Sequence, residues 1–366
     1  MKNFGFGCMR LPMKDGNVDY EEFSKMIKVF FDNDFTYFDT AHGYLGGKSE
    51  IAIKDCLTSK YPRESYQLTN KLTGGYFNSQ EEIIPLFEKQ LEACGVTYFD
   101  YYLMHAQNEA VFKKFKQCKA YETSIELLKQ GRIKHFGISF HDKADVLEQI
   151  LKEYPEIEVV QIQFNYLDYN SSSDEGKKCY EVARKYNKDV FIMEPVKGGA
   201  LINLPSDAQK VLDELNGGSN ASYAIRFAAS FEGVTMVLSG MSNMDHMNDN
   251  VSFMKDFKPL DDKEQEAVRK VTEVFSHLQM IPCTSCHYCV EENHCLKKIR
   301  IPDMFACMNK KKIFNDWNQN YYYSNVLTSG DNGKASDCIQ CGGCERVCPQ
   351  HLPIRSLLKQ VAKEFE

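Results

Sequence analysis

The sequence has no long hydrophobic run. Nothing in it approaches the roughly 18 consecutive apolar residues that a spanning helix requires, which excludes an integral helical membrane protein. The opening stretch MKNFGFGCMRLP lacks a charged segment followed by an apolar one, so no export signal is visible and a cytoplasmic location is expected. Basic blocks are also scarce. Lys and Arg number 44 against 51 Asp and Glu, a net charge of −7, and the longest basic run is Lys310-Lys311-Lys312. A phosphate-neutralising surface for nucleic acid is therefore excluded. No G-x-G-x-x-G follows the first strand-like segment, where an open dinucleotide-binding sheet would carry it. What remains is an ordinary globular composition, 43% hydrophobic and 26% charged over 366 residues. That length suits two or three domains, or one barrel plus a module.

Cysteine breaks the average pattern. Of fourteen, Cys8, Cys56, Cys94, Cys118 and Cys179 scatter over the first 282 residues, while nine fall between Cys283 and Cys348. A long chain in a reducing compartment neither needs nor keeps disulfides, so the late cluster reads as metal binding. The five early thiols read as buried small hydrophobes.

Short apolar runs alternate with amphipathic helical stretches such as Glu81–Cys94 and Lys143–Glu153. The strand candidates are Phe4–Arg10, Tyr37–Thr40, Tyr66–Lys71, Tyr101–His105, His135–Phe140, Val159–Asn165, Val190–Glu194 and Thr235–Ser239. Eight strand–helix units in about 260 residues predict a (β/α)8 TIM barrel, because parallel neighbours need crossover connections.

In such a barrel chemistry collects at the C-terminal strand ends. Those ends carry Asp39 with Tyr44 in the following loop, then Lys71, then His105. A tyrosine hydroxyl, with a pKa near 10, becomes a useful proton donor when a nearby ammonium stabilises its phenolate. Lys71 could supply that charge with Asp39 fixing its position, and His105 could hold a carbonyl beside the hydroxyl. Taken singly, these residues read more readily as a rim ion pair, a satisfied histidine and a loop aromatic. Four at matched strand ends favour proton delivery to a carbonyl oxygen.

The segments Asp39-Thr-Ala-His-Gly-Tyr44, Asn70-Lys71 and Tyr101-Tyr-Leu-Met-His105 resemble, in order and spacing, the aldo-keto reductase family. The resemblance covers residues 1–255. It implies a barrel that binds NADPH or NADH across its rim, with Tyr44 as general acid, Lys71 and Asp39 as its tuning pair and His105 orienting the carbonyl. It also implies nucleotide contacts at Ser139, Gln161, Met193, Pro195, Val196, Gly198, Gly240, Ser242, His246 and Asn250. Departures from the family pattern include Phe140 in place of an asparagine and Met193 in place of a stacking aromatic. Gly240 and His246 stand where NADP-preferring members place a lysine and an arginine. The floor-plugging N-terminal hairpin is expected to be missing or very short.

Residues Asp261–Gln279 predict one helix, capped by Asp261, with Ala267, Val268, Val271, Val274, Phe275 and Leu278 on one stripe. Beyond it run Cys283-x2-Cys286-x2-Cys289-x5-Cys295 and Cys338-x2-Cys341-x2-Cys344-x3-Cys348-Pro349. The second run has the bacterial ferredoxin spacing, in which three thiolates wrap one [4Fe–4S] cube and the fourth reaches the other. Zinc would more often take two separated C-x2-C knuckles. The first run matches with a two-residue insertion. One cluster would take Cys283, Cys286, Cys289 and Cys348, the other Cys338, Cys341, Cys344 and Cys295. His287 and His294 read as spectators and Cys307 as packing beside the clusters. Trp317 and Tyr321-Tyr-Tyr323 read as cover for a cluster or as a stacking surface for a ligand, and Ile354, Leu357, Leu358 and Val361 as the apolar face of a last helix. The whole chain resembles the bacterial aldo-keto reductases with a C-terminal ferredoxin-like extension.

The expected organisation is a barrel over 1–260, a linker helix over 261–282 and a small α-helical iron–sulfur domain over 283–366. Three functions fit. One is an NAD(P)H-dependent reductase of a small carbonyl substrate whose two clusters are structural or dock a redox partner such as a ferredoxin or flavoprotein. Another is an electron-transfer enzyme in which the clusters feed a bound substrate, flavin or nicotinamide. The third is a non-catalytic iron–sulfur scaffold, against which the intact catalytic set weighs.

Overall fold

The computed structural model describes residues 3–169, 175–215, 217–278, 280–293, 295–314 and 318–366. They form two compact units, Met1–Val196 with Gly217–Glu266 and Lys197–Asn216 with Ala267–Glu366. The segment 197–216, which the sequence leaves inside the barrel, thus groups with the C-terminal unit. No helix among the described residues is long and apolar enough to cross a membrane.

The first unit is the eight-stranded barrel that the sequence predicts. Its strands are β1 (Phe4–Gly7), β2 (Tyr37–Asp39), β3 (Gln67–Leu72), β4 (Phe99–Gln107), β5 (Ile133–Phe140), β6 (Val159–Gln163), β7 (Asp189–Met193) and β8 (Val234–Ser239). Each pairs in parallel with the next, and β8 closes on β1. The first strand is shorter than predicted because Cys8–Arg10 turns into a 3-10 helix. A short hairpin, Met13–Lys14 against Asn17–Val18, follows β1.

Side chains alternate along a strand, so residues two apart share a face. The lower barrel interior is filled by Tyr37, Tyr101, Val159, Phe191, Met236 and Leu238. Tyr37, Tyr101 and Phe191 meet edge-on at centroid separations of 5.2–5.7 Å. Gly5 makes room for this layer, since a Cβ there would sit 2.7 Å from the Tyr37 ring and 2.8 Å from Leu238. Two or four residues further along the same faces come Asp39 after Tyr37, His105 after Tyr101, Gln161 after Val159 and Met193 after Phe191. Thr69 bonds the Tyr37 hydroxyl from the same interior, and Lys71 is two residues beyond it. An apolar floor therefore gives way to a polar rim.

The outer helices are held by their apolar stripes. The helix Tyr20–Asp32 starts at Asp19, whose carboxylate accepts from Glu22 N at 3.0 Å, and buries Phe23, Met26, Ile27 and Phe30. Its phenylalanine rings pack edge-on against Phe6 and Phe38, each contributing roughly 1.5–3 kcal/mol by burial. All five early cysteines are buried.

The predicted linker helix spans Asp262–Ser276, and Gln279 lies outside the described residues. Asp261 and Glu264 form a reciprocal cap at its start, with bonds of 2.8 and 2.9 Å. Glu264 also takes a two-pronged ion pair from Arg226. In the second unit the helices Ile301–Phe314 and Ile354–Phe365 pack around a core of Ile301, Met304, Phe305, Tyr323, Leu358 and Val361. Cys307 is buried in that core, while Leu357 packs at its edge.

Candidate active site and cluster-binding module

Three of the four predicted catalytic side chains are withdrawn from water: Asp39 is 4% exposed, Lys71 0% and His105 4%. Lys71 Nζ donates to Asp39 Oδ1 at 2.5 Å and to the Thr40 carbonyl at 2.7 Å. Gln161 Nε2 donates to the other Asp39 oxygen at 3.1 Å. The carboxylate is thus fixed from both sides, and it fixes the ammonium in turn. Tyr44 completes the set. Its ring lies 4.9 Å from Lys71 Nζ and meets the His105 ring edge-on at 5.8 Å. All four predicted residues come together.

Electrostatics assign them different roles. Burial pushes Lys71 below the ordinary lysine value, against the pull of Asp39, whose charge and hydrogen bond favour the ammonium. Burial, with the charges of Lys71 and His141, holds His105 well below the ordinary histidine range, so its ring is neutral. Thr73 Oγ1 bonds its Nδ1 at 2.7 Å. Sequence reasoning missed Thr73, although it lies two residues beyond Lys71 on the alternating face.

A stability consequence follows from the neutral ring. Unfolded, His105 takes up a proton near pH 6.5, whereas the folded ring resists it. Its contribution is full above about pH 6.5 and is lost as pH falls toward the depressed folded value, at up to about 1.4 kcal/mol per pH unit. The midpoint of barrel unfolding should therefore drop further between pH 7.5 and 5.5 in wild type than in His105→Gln. Equal drops would contradict the neutral assignment.

The predicted nucleotide contacts divide between the two units. Ser139 is buried near the end of β5, where its Oγ accepts from Ala106 N at 2.7 Å, and Gln161 is buried midway along β6. Met193 ends β7 half-buried, followed by buried Pro195 and half-buried Val196. Gly198 groups with the second unit, at φ +63, and a Cβ there would lie 2.3 Å from the Thr284 carbonyl oxygen. After β8, Gly240 is exposed and Ser242 N lies 3.4 Å from His246 Nδ1. Asn250 Oδ1 accepts from Ser239 Oγ at 2.6 Å. The helix Met244–Met254 begins here, capped by Asn243, and Glu22 Oε1 accepts from Met244 N at 3.0 Å. An acidic side chain thus occupies this positive helix end.

In the second unit a cavity is lined by Cys283, Cys286, Cys289 and Cys348, with His287 beside them. Its apolar wall is Ile301, Phe305, Leu352 and Ile354. Burial and the neighbouring thiols Cys286, Cys283 and Cys348 push the Cys289 thiol well up. The Cys344 thiol is pushed up to about 11, by burial, then Cys338, Glu345 and Cys341. Two crowded thiol groups follow, and such groups ionise together only when a cation joins them. Cys295 packs against the same core. Gly343 lies so close to Asn293, two residues before Cys295, that a Cβ would meet its Oδ1 at 2.0 Å. Among the described residues no three His, Cys, Asp or Glu side chains converge tightly enough for a single metal ion. Tyr323 is buried and stacked on Phe365 at 4.7 Å, whereas Tyr321 and Tyr322 are exposed. His294 and Trp317 lie outside the described residues.

Residues 3–273 match the model of the aldo/keto reductase family, and residues 282–353 match that of a 4Fe-4S dicluster domain. The chain belongs to the aldo/keto reductase family, as an oxidoreductase with a C-terminal 4Fe-4S dicluster domain. Its fold is similar to an aldo-keto reductase from Bacillus halodurans in its holo form, with TM-score 0.61 and 22% identity over 74% of this chain and 91% of that one. A thermostable aldo-keto reductase in complex with the inhibitor epalrestat gives TM-score 0.62 and 19% identity, over 74% and 95% of the two chains. An aldo-keto reductase from Klebsiella pneumoniae in complex with NADPH gives 0.60 and 15%, over 74% and 90%. Comparison with curated proteins gave no match.

Proposed function

We propose that this protein reduces the carbonyl group of a small aldehyde or ketone with NADH or NADPH, and that its C-terminal unit holds two [4Fe–4S] clusters. The observation that carries the reading is the buried Lys71 ammonium, clamped between Asp39 and the Thr40 carbonyl and set against the Tyr44 ring. The barrel residues toward a nicotinamide are Ser139, Gln161 and Met193, with Gly240, Ser242, His246 and Asn250 toward the adenosine end. When bound, the nucleotide supplies a hydride to the carbonyl carbon. The Tyr44 hydroxyl gives its proton to the carbonyl oxygen. Lys71 stabilises the phenolate left behind, and Asp39 with Gln161 keeps Lys71 in place. His105 stays neutral, so it can hold the carbonyl oxygen by a hydrogen bond without competing as a proton source.

The group Cys283, Cys286, Cys289 and Cys348 fits a cubane better than a single ion, because it surrounds a cavity instead of closing on a point, and the spacing of the second run supports a cubane there too. Cys283, Cys286, Cys289 and Cys348 would hold one cluster, and Cys338, Cys341, Cys344 and Cys295 the other. Such clusters supply one-electron capacity, which hydride transfer does not use. Their role in this reading is structural or as a docking point for a redox partner.

Glu22 bears on the nucleotide. Its carboxylate on Met244 N opposes a 2′-phosphate at that helix end and is compatible with a ribose hydroxyl. NADH is the expected favourite. Glu22→Gln should raise the ratio of kcat/KM for NADPH over NADH by about tenfold, the equivalent of one removed like-charge contact of about 1.4 kcal/mol. An unchanged ratio would remove Glu22 from the nucleotide site.

A further inference from the structure

We propose that His42 and Glu50 are positioning residues for Tyr44, the buried Glu50 carboxylate gripping the His42 imidazole and so fixing the loop that carries the acid. The inference rests on the reading of Tyr44 as proton donor. Glu50, in the helix Lys48–Ile53, is 1% exposed. Its Oε2 pairs with His42 Nδ1 at 2.7 Å, and its Oε1 accepts from Asn70 Nδ2 at 2.7 Å. Asn70 Oδ1 in turn accepts from Lys71 N at 2.8 Å and from Gln90 Nε2 at 3.0 Å. One buried carboxylate therefore joins the loop of the acid to the backbone of the lysine that tunes it. A carboxylate so far from water persists where its hydrogen bonds are made, so both partners are held firmly.

The loop needs such a grip. Immediately after Tyr44 the chain is left-handed at three successive residues, Leu45 (φ 55), Gly46 (φ 64) and Gly47 (φ 88). A left-handed leucine is unfavourable by itself and survives only where the surroundings impose it. Thr40 Oγ1 bonds Ser49 Oγ at 2.8 Å, and Ser49 Oγ donates to the Cys8 carbonyl at 2.9 Å, which fixes the foot of the loop. His42 continues that anchorage to within two residues of Tyr44. Its ring, 22% exposed at the side chain, also meets Tyr76 edge-on at 4.7 Å. Glu50 acts on the reaction through His42 and the loop, not by touching the carbonyl.

The test uses the anaerobically prepared full chain with its clusters, comparing wild type with His42→Ala, His42→Asn and Glu50→Gln. The readouts are kcat, KM for a simple aldehyde and the primary deuterium isotope effect with deuterated NADH. His42→Ala should lower kcat tenfold to a hundredfold, the scale of a misplacement of about 1 Å, with KM within about twofold. Glu50→Gln should fall in the same direction. The isotope effect should rise as proton and hydride transfer become limiting. An asparagine amide at this position places a donor where Nδ1 stood, so His42→Asn should recover to within about threefold of wild type. Wild-type kcat in His42→Ala would overturn the proposal while leaving Tyr44 as the acid. So would equal losses in His42→Ala and His42→Asn with a raised KM and an unmoved isotope effect, since those describe general loosening of the fold. A wild type that reduces no aldehyde would overturn the Tyr44 reading, and this inference with it.

Discussion

Tyr44→Phe is expected to lower kcat for NADH- or NADPH-driven aldehyde reduction by about 10²–10⁴-fold, the range that a positioned general acid contributes. The phenylalanine ring keeps the edge contact with His105 and the approach of Lys71, so folding and nucleotide binding should be nearly unchanged. Iron content and visible absorbance should also be those of wild type, because Tyr44 belongs to the barrel unit. Lys71→Met is a harsher change. It leaves the Asp39 carboxylate buried without its cation, and a broken buried pair costs about 3–5 kcal/mol of stability. Loss of activity in that variant would mix chemistry with folding, which makes Tyr44→Phe the cleaner experiment. Wild-type turnover in Tyr44→Phe would contradict the assignment of the acid.

The second large effect concerns iron. Cys348→Ser should lower the iron content of anaerobically purified protein from about eight to about four per chain, since two cubanes carry four irons each. Cys348 is far along the sequence from the thiols it joins, yet it lines one cavity with Cys283, Cys286 and Cys289. Cys341→Ser should remove the other cluster and leave the first, because Cys341 groups with Cys338 and Cys344. Unchanged iron in either variant would refute the ligand set. Serine is slightly smaller than cysteine and binds iron more weakly, so a partial loss with an altered spectrum still counts as ligand exchange.

The barrel was readable from the sequence because it is written locally. Each strand is a short apolar run, and each crossover helix has its own stripe, so eight units announce themselves without knowledge of distant contacts. The proximity of the candidate catalytic residues is legible for a related reason. Asp39, Lys71 and His105 sit at the ends of consecutive strands, and the parallel register carries neighbouring strand ends to one rim. The two cysteine runs were legible through spacing, and the cavity brings Cys348 to the first run as that spacing implies.

The remainder depends on contacts that leave no local trace. Lys197–Asn216 has the polarity and length of an ordinary loop and helix, so nothing in it shows that it groups with the cysteine module. The contact that matters is Gly198 against the Thr284 backbone, 86 residues apart in sequence. Gln161 resembled a nucleotide contact, whereas its amide is also spent on Asp39 across the barrel interior. Glu22 is a first-turn acidic residue of its own helix, and only the packing of neighbouring helices delivers it to Met244. The run Tyr321–Tyr323 divides because a helical turn sends successive side chains in different directions, one into the core and two outward.

One titration on anaerobically purified protein separates a conventional reductase from one whose clusters join the electron path. Iron per chain and the visible spectrum are recorded before and after adding NADH or NADPH, then again with an aldehyde present. About eight irons are expected, with a spectrum indifferent to the nucleotide and oxidation of the nucleotide only when the aldehyde is added. Bleaching of the iron absorbance by nucleotide alone would contradict this expectation, because electrons would then be passing to the clusters and the C-terminal unit would belong to the reaction path.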